Sequence, residues 1–321
     1  MIVVTGAMGF IGSGFVSYLN QTGHHDLLVV DDFYQWKKEK NLAGKRVHEW
    51  VHRDLFITYF SKIATQVEVV FHLGARTDTI SENKQVFDTL NLQYSKDIWN
   101  ICTRYGIPLV YASSAATYGD GGHGFTDDHD LIPQLQPLNA YAVSKHEFDL
   151  WVLQQRKSPP SWYGLKFFNV YGPNESHKNR MASVMYHAFH QIRETAKLKL
   201  FKSHRPEFKD GGQLRDFIYV KDIVEMVLHI YEKQPLSGIY NAGTGTARTF
   251  EDLGTACFDA LNVSPNIEYI DMPEDLREKY QYFTEADMDK WKSAGLSLPG
   301  STLENGVRDY ITQFLIPNKI F

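Results

Sequence analysis

The sequence predicts an α/β chain, a doubly wound parallel sheet with a smaller, discontinuous α/β lobe, and three observations carry that prediction. Short β-branched runs alternate with amphipathic segments through the first half, a glycine-spaced turn joins the first run to the first helical segment, and the alternation stops after Pro173. MIVVTG is the first strand, and IGSGFVSYLNQ follows with helical spacing and Gly23 as its stop. DLLVVDD, VEVVFHLGA, IPLVYASS and WYGLKFFNVYG read as the later strands. Among them, DTLNLQYSKDIWNICTRY, stopped by Gly106, and AYAVSKHEFDLWVLQQR have helical spacing. Beyond Pro173 the pattern is loop, a helix through MASVMYHAFHQIRE, then a polar stretch from Lys202 to Gln213. FIYVKDIVEMVLHIYE reads as a strand and helix returning to the first domain, SGIYNAGTG as a further strand, and a mixed segment runs to Phe321.

Composition narrows the class. A chain of 321 residues, 43% hydrophobic and 22% charged, suits an ordinary globular protein, and a net charge of -5 gives no footprint for nucleic acid. The one basic run, KKEKNLAGKR at 37–46, reads as a solvated loop, with a phosphate partner held open by its place after the second strand. Cys102 and Cys257 lie in apolar helical surroundings and are expected to be reduced core thiols. No stretch is long enough to span a bilayer and no leader pattern is visible, so a cytoplasmic enzyme is expected, without membrane or nucleic-acid partners. The 13 histidines are scattered, and no metal is expected.

VVTGAMGFIG sets Gly6, Gly9 and Gly12 three apart between strand and helix, with Phe10 and Ile11 inside the turn. Glycine lets a pyrophosphate approach the backbone, and the helix N-terminus offers unpaired amides. Asp31 and Asp32, about 20 residues on at the end of the second strand, stand where a ribose is read, so a dinucleotide site is expected. Asp31 suits a free ribose hydroxyl and NAD, whereas Lys37, Lys38 and Arg53 suit the extra phosphate of NADP; the sequence pulls both ways. Leu73, Gly74 and Ala75 of HLGA lie near that cofactor, and Asn91 can orient it. The expected division assigns 1–170 and 216–248 to a dinucleotide-binding domain of Rossmann type, and 171–215 and 249–321 to a substrate lobe.

Tyr141 and Lys145 share one helix face. A cation beside a phenol favours the phenolate, so the pair can take a proton from an alcohol. Ser114, in SSAATYG at the end of a strand, can hydrogen-bond the reacting oxygen.

TGxxGxxG, the acidic strand end, HLGA, SSAATYG and YxxxK together resemble the extended short-chain dehydrogenase/reductase family. Within it, FFNVYGPNESHKNRMASV, KLF, RDFIYV, SGIYNAGTG and KYQYFTEAD resemble the subfamily that epimerises ADP-glycero-manno-heptose at C6. The resemblance implies an NADP-dependent isomerase that passes through a transient ketone, supplies heptose for lipopolysaccharide or another surface glycan, and forms a homo-oligomer, possibly a pentamer. It implies catalysis by Ser114, Tyr141 and Lys145, with Lys178 as a second base, and a cofactor contact at Val170. For the nucleotide-sugar it implies Asn169, His177, Arg180, His187, Phe201, Lys202, Ser203, His204, Arg215 and Tyr280. Read as residues alone, Lys178 is equally a solvated loop lysine, His187 a helix packing residue and Arg215 a strand-edge charge beside Asp216. Asp32 departs from the subfamily, which has Asn there.

Three alternatives remain. A 4,6-dehydratase needs an acid and a base where Ala115 and Ala116 stand, and alanine transfers no proton. A UDP-hexose 4-epimerase would use the same Ser114, Tyr141 and Lys145. A catalytically silent dinucleotide-binding regulator needs none of them.

Overall fold

The computed structural model describes residues 1–79, 81, 83–277 and 280–321, leaving out the side chains of 275 and 276. Of the sequence motifs quoted above, Lys279, the first residue of KYQYFTEAD, lies outside the described residues.

Seven strands form one parallel sheet. They are β1 (Ile2–Thr5), β2 (Leu27–Asp31), β3 (Glu49–His52), β4 (Val69–His72), β5 (Leu109–Ser114), β6 (Trp162–Phe167) and β11 (Gly238–Ala242). Their order across the sheet is β11-β6-β5-β4-β1-β2-β3, so the order reverses at β1, between β4 and β2. Side chains alternate between faces along each strand. Val4, Val29, Phe71 and Val110 join one core with helices Phe10–Gln21 and Val220–Lys233. Val3, Leu28, Val70 and Leu109 join the other with helices Arg53–Ile63, Tyr94–Tyr105 and Ala140–Leu153. Both faces are buried, which is why these strands read as continuous apolar runs.

Two features depart from the sequence reading. Strand β3 and the helix Arg53–Ile63 were not foreseen: EWVH is a polar, four-residue edge strand, and edges avoid the apolar signature of central strands. WYGLKFFNVYG is also two strands rather than one. Phe168 donates its amide to the Ala242 carbonyl at 3.1 Å, and the chain then leaves the sheet as β7 (Asn169–Tyr171).

The smaller lobe is assembled from paired short strands. After β8 (Leu198–Phe201) and β9 (Leu214–Arg215), β10 (Phe217–Tyr219) returns parallel to β7. In FIYVKDIVEMVLHIYE, read as a strand and helix returning to the first domain, β10 pairs with β7 and the following helix covers the sheet. β12 (Arg248–Thr249) pairs antiparallel with β9, and β13 (Ile267–Ile270) parallel with β8. Separated stretches are thereby stitched into one wall. Cys102 and Cys257 are buried and unbridged, and burial pushes the Cys257 thiol up to about 12. Among the described residues, no helix is long and apolar enough to cross a membrane.

Beneath the sheet's carboxyl edge lies a fully buried ion pair, Lys166 Nζ to Asp149 Oδ2 at 2.8 Å. Asp149 also accepts from the Tyr111 and Ser113 hydroxyls at 3.2 and 2.7 Å, and Lys166 donates to Thr117 Oγ1 at 2.6 Å. Removing one partner strands the other charge, so Asp149→Ala is expected to lower unfolding free energy by about 4 kcal/mol. Asp149→Asn with Lys166→Met should cost less than either single change, as read by urea denaturation; equal or greater loss in the double variant would show the pair is not the source.

Candidate functional site

The nucleotide end of the site is built on the glycine turn. Gly6 has φ 68°, and a Cβ added there would lie 2.5 Å from Gly74 Cα. A Cβ on Gly12 would lie 2.1 Å from the Gly6 carbonyl oxygen. The turn therefore closes against its own helix and against the loop after β4, as no other residue type would allow. Helix Phe10–Gln21 begins at Gly9 with no side-chain cap and no acidic residue in its first turn, leaving its first amides free for an anion. These groups border a cavity of about 330 Å³, which Asp31, Asp32, Lys38, Arg53, Leu73, Gly74 and Ala75 also line. A dinucleotide fits that donor set.

The acidic strand end is already engaged. Asp31 accepts the Met8 amide at 2.8 Å and has Lys38 Nζ at 3.6 Å, so it braces the glycine turn. Asp32 has the Arg53 guanidinium at 3.3 Å. Burial pulls the Asp32 carboxyl up, but the Gln35 hydrogen bond and the Arg53 charge outweigh it and hold it below the carboxylate range. Lys37 turns away toward the Trp36 ring. Asn91 does not line the cavity: its amide accepts the Arg76 N–H at 2.8 Å and donates to the Arg76 carbonyl and to Ser144 Oγ, each at 3.0 Å. It ties the loop after β4 to the helix that carries Tyr141 and so braces the wall of the cavity.

A second cavity of about 400 Å³ adjoins the first, and Phe10, Ile11, Leu73, Ala75, Thr77 and Lys178 border both. Ser114, Tyr141 and Lys145 line it together with Asn169 and Val170. Asn139 caps the helix Ala140–Leu153 by accepting the Ala142 amide at 2.9 Å. Lys145 Nζ donates to the Ala112 carbonyl at 2.8 Å, and burial brings its amine down to about 8. The Tyr141 phenol differs from the expectation. Burial pushes it above its ordinary value, the Ser114 hydrogen bond opposes that, and Asp149 adds to it, while the Lys145 amine gives one of its three donors to the Ala112 carbonyl. Lys178 enters from the opposite lobe with Nζ 5.4 Å from the Phe10 ring centroid, and burial lowers its amine against the charge of Glu175.

The residues implied for the sugar divide into three groups. Asn169 lines the second cavity, and Arg215 stands just behind it, 7% exposed, with its guanidinium 5.6 Å from the Phe250 ring and 5.3 Å from the Tyr280 ring. Its donors go to the Leu214 and Gln281 carbonyls, and it makes no ion pair among the described residues. Phe201 meets Tyr280 edge-on at 6.3 Å, completing this aromatic wall. Away from the cavity, Ser203 and His204 give their amides to Asp210 and the Tyr282 phenol, and Lys202 pairs with Asp271 at 3.3 Å. His187 lies against the Tyr186 ring, and Arg180 pairs with Asp78 at 3.6 Å. His177 faces Asn41 and Asn174 at 3.2 and 3.0 Å, where burial lowers it to about 4. Its ring pins a loop, and the match to a motif hid that orientation.

Sequence reading missed Thr77, Phe168, Phe250, Gln281 and Thr284, all on the second cavity. None has a residue type or spacing that marks it; Gln281 and Thr284 lie within the KYQYFTEAD resemblance and were the findable ones.

Residues 2–243 match the NAD dependent epimerase/dehydratase family. The chain is 46% identical over 317 residues to an ADP-L-glycero-D-manno-heptose-6-epimerase of Nitratidesulfovibrio vulgaris strain DP4, covering 98% of each. It is 43% identical over 325 residues to the enzyme of that name from Fusobacterium nucleatum, again covering 98% of each. The crystal structure of the Helicobacter pylori ADP-L-glycero-D-manno-heptose-6-epimerase superposes with a TM-score of 0.78 at 26% identity, over 97% of this chain and 95% of that one. Similarity that runs through nearly the whole chain, the glycine turn included, leaves one conclusion: the chain belongs to the NAD dependent epimerase/dehydratase family.

Proposed function

We propose that the protein inverts C6 of an ADP-linked manno-heptose through a transient ketone, and that its cofactor is NADP. The observation that carries this reading is that Tyr141 and Lys178, from opposite lobes, border one cavity in a chain so similar to heptose 6-epimerases. A nicotinamide held along the glycine turn supplies the acceptor and donor of hydride. Ser114 orients the carbinol oxygen, and Tyr141 takes its proton as the C–H bond breaks. The ketone then turns in the cavity. When hydride returns to its other face, Lys178 delivers the proton, and the two passes leave no net redox change. Lys145 supports Tyr141 and holds the nicotinamide ribose.

The lobe contributes the grip on the nucleotide. Arg215, buried among Phe201, Phe250 and Tyr280 without a carboxylate among the described residues, is suited to a diphosphate. Ala115 and Ala116 line the reacting end and offer no proton, which favours epimerisation over dehydration. NADP is favoured because Lys38 and Arg53 border the first cavity while Asp31 is spent on the Met8 amide.

Tyr141→Phe is expected to lower turnover of ADP-heptose by about a hundredfold or more with cofactor still bound; undiminished turnover removes the phenol from the mechanism. Lys178→Met should lose epimerisation by a similar factor while sugar binding survives, and equal loss of both by calorimetry would make Lys178 a binding residue. Mass spectrometry of cofactor released from purified protein should find NADP, and Arg53→Ala should shift preference toward NAD by about tenfold, roughly one phosphate contact. Release of NAD from the unaltered protein would reverse the assignment, and turnover of UDP-hexoses alone would replace the substrate.

A further inference from the structure

Lys178 rides on a short 3-10 segment, Ser176–Met181, that is kinked at Asn179. Residues 172–183 run through tight turns from Ser176 to Met181, with Gly172 at φ 143°, Asn174 at φ 76° and Asn179 at φ 48°. Positive φ at two asparagines persists only where the surroundings over-determine it. The group that does so is Glu175, whose side chain is fully buried. Its carboxylate accepts the Gly172 amide at 3.2 Å, the Ser183 amide at 2.5 Å and the Ser183 hydroxyl at 2.7 Å, and it also bonds the Tyr310 phenol. Gly172 and Ser183 are the two ends of the segment. One carboxylate therefore draws both ends to the middle, three residues before Lys178, whose own amide donates to the Glu175 carbonyl at 2.9 Å. Ser183 in turn caps the helix Val184–Thr195 by accepting the Tyr186 amide at 3.1 Å.

We propose that Glu175 is the positioning residue of the second base: it fixes the segment that aims Lys178 into the shared cavity, and it sets the charge against which that amine exchanges its proton. The proposal rests on the two-base reading above. Burial raises the Glu175 carboxyl, while the Ser183 hydrogen bonds, the Lys178 charge and the Gly172 amide oppose it; all four of its partners can donate, which favours the carboxylate. Around Lys178 other cations are set beside carboxylates. Lys38 lies by Asp31, Arg53 by Asp32, and Arg76 and Arg180 share Asp78. Tyr141 faces it across the second cavity, His177 is turned to Asn41, and Tyr186 and Tyr310 stand on the far side of Glu175. Glu175 is the charge that acts on Lys178, opposing the burial that lowers its amine. A base that must hold a proton in one half of the reaction and release it in the other needs those two influences near balance.

The test is the titration of Lys178 itself. Cofactor-loaded protein is treated with trinitrobenzenesulfonate across a pH series, and modification at Lys178 is followed by peptide mass spectrometry; only the neutral amine reacts. With Glu175→Gln, the charge that raises the amine is gone, so the midpoint should fall by about one pH unit. Epimerisation should fall by about tenfold in kcat with KM little changed, and the limb of the pH profile belonging to Lys178 should move the same way. Glu175→Asp keeps the charge and should keep a midpoint close to that of the unaltered protein. A Gln variant with an unmoved midpoint overturns the proposal, as does an Asp variant that moves as far as Gln. The titration needs no sugar. If the unaltered protein turned over no ADP-heptose, the epimerase reading alone would fall, and the midpoints would still decide the role of Glu175.

Discussion

The close approach of Gly6 to Gly74 is the constraint on which the rest of the site depends. β1 and β4 are neighbours at the point where the strand order reverses, and their following loops must pass within contact of each other there. Thr5 turns that contact into a fixed geometry. Its carbonyl accepts the Leu73 amide at 3.2 Å, while its hydroxyl accepts the Gly74 amide at 3.3 Å and meets His72 Nδ1 at 2.6 Å. His72 continues to Ser95 at 2.9 Å, and Ser95 donates to the Asn91 carbonyl at 2.5 Å. Burial lowers the His72 imidazole to about 3, so it stays neutral and can donate from one nitrogen while accepting at the other. The loop that floors both cavities thus hangs from one chain of hydrogen bonds. A side chain at Gly6 would force the two loops apart, and one at Gly74 would crowd the Gly6 amide and the Thr5 hydroxyl.

Above that floor, burial and specific charges oppose one another at each titratable group. Burial favours the neutral form of each, so it lowers the Lys145 and Lys178 amines and raises the Tyr141 phenol. Groups that are close in proton affinity in water are thereby pushed apart. Each is then corrected by a neighbour: Asp149 for Lys145, Glu175 for Lys178, Ser114 for Tyr141. Asp149 sits one further turn along the helix from Lys145, and Lys166 neutralises it at 2.8 Å. Without Lys166, the same carboxylate would push the phenol further up and leave a weaker acid where a proton must move.

What was legible in the sequence follows from what had a period or a fixed spacing. The glycine turn, the strands buried on both faces and the four-residue step from Tyr141 to Lys145 are local patterns, and a chain of 3.6 residues per turn leaves little choice about them. The edge strand Glu49–His52 has too little apolar character to announce itself, and the break at Phe168 falls inside an unbroken aromatic run. The proton environment of Tyr141 was misread for a different reason. Spacing puts Lys145 on the same face, but which acceptor its ammonium chooses is decided by the Ala112 carbonyl on a neighbouring strand, and no helical period encodes that. The orientation of His177 was hidden in the same way, since one of its partners, Asn41, comes from a distant part of the chain.

On the two-base reading proposed above, the discontinuity of the smaller lobe follows from the chemistry. A base for the second face would have to reach the cavity from the side opposite the Tyr141 helix, and the helices of the sheet are already committed to covering its two faces. The chain must therefore leave the sheet after β6, pass over the cavity with Lys178, and come back to complete β11. Once it has left, its walls are held by two-residue and four-residue pairings, β9 with β12 and β8 with β13, which bring Arg215, Phe250 and Phe201 together from stretches far apart in sequence. Such a lobe has no repeating pattern, because loops and short pairings have none. It can change its contacts to the sugar and nucleotide without disturbing the sheet. The reaction type is consequently written in the sheet and its helices, and the identity of the substrate in the lobe.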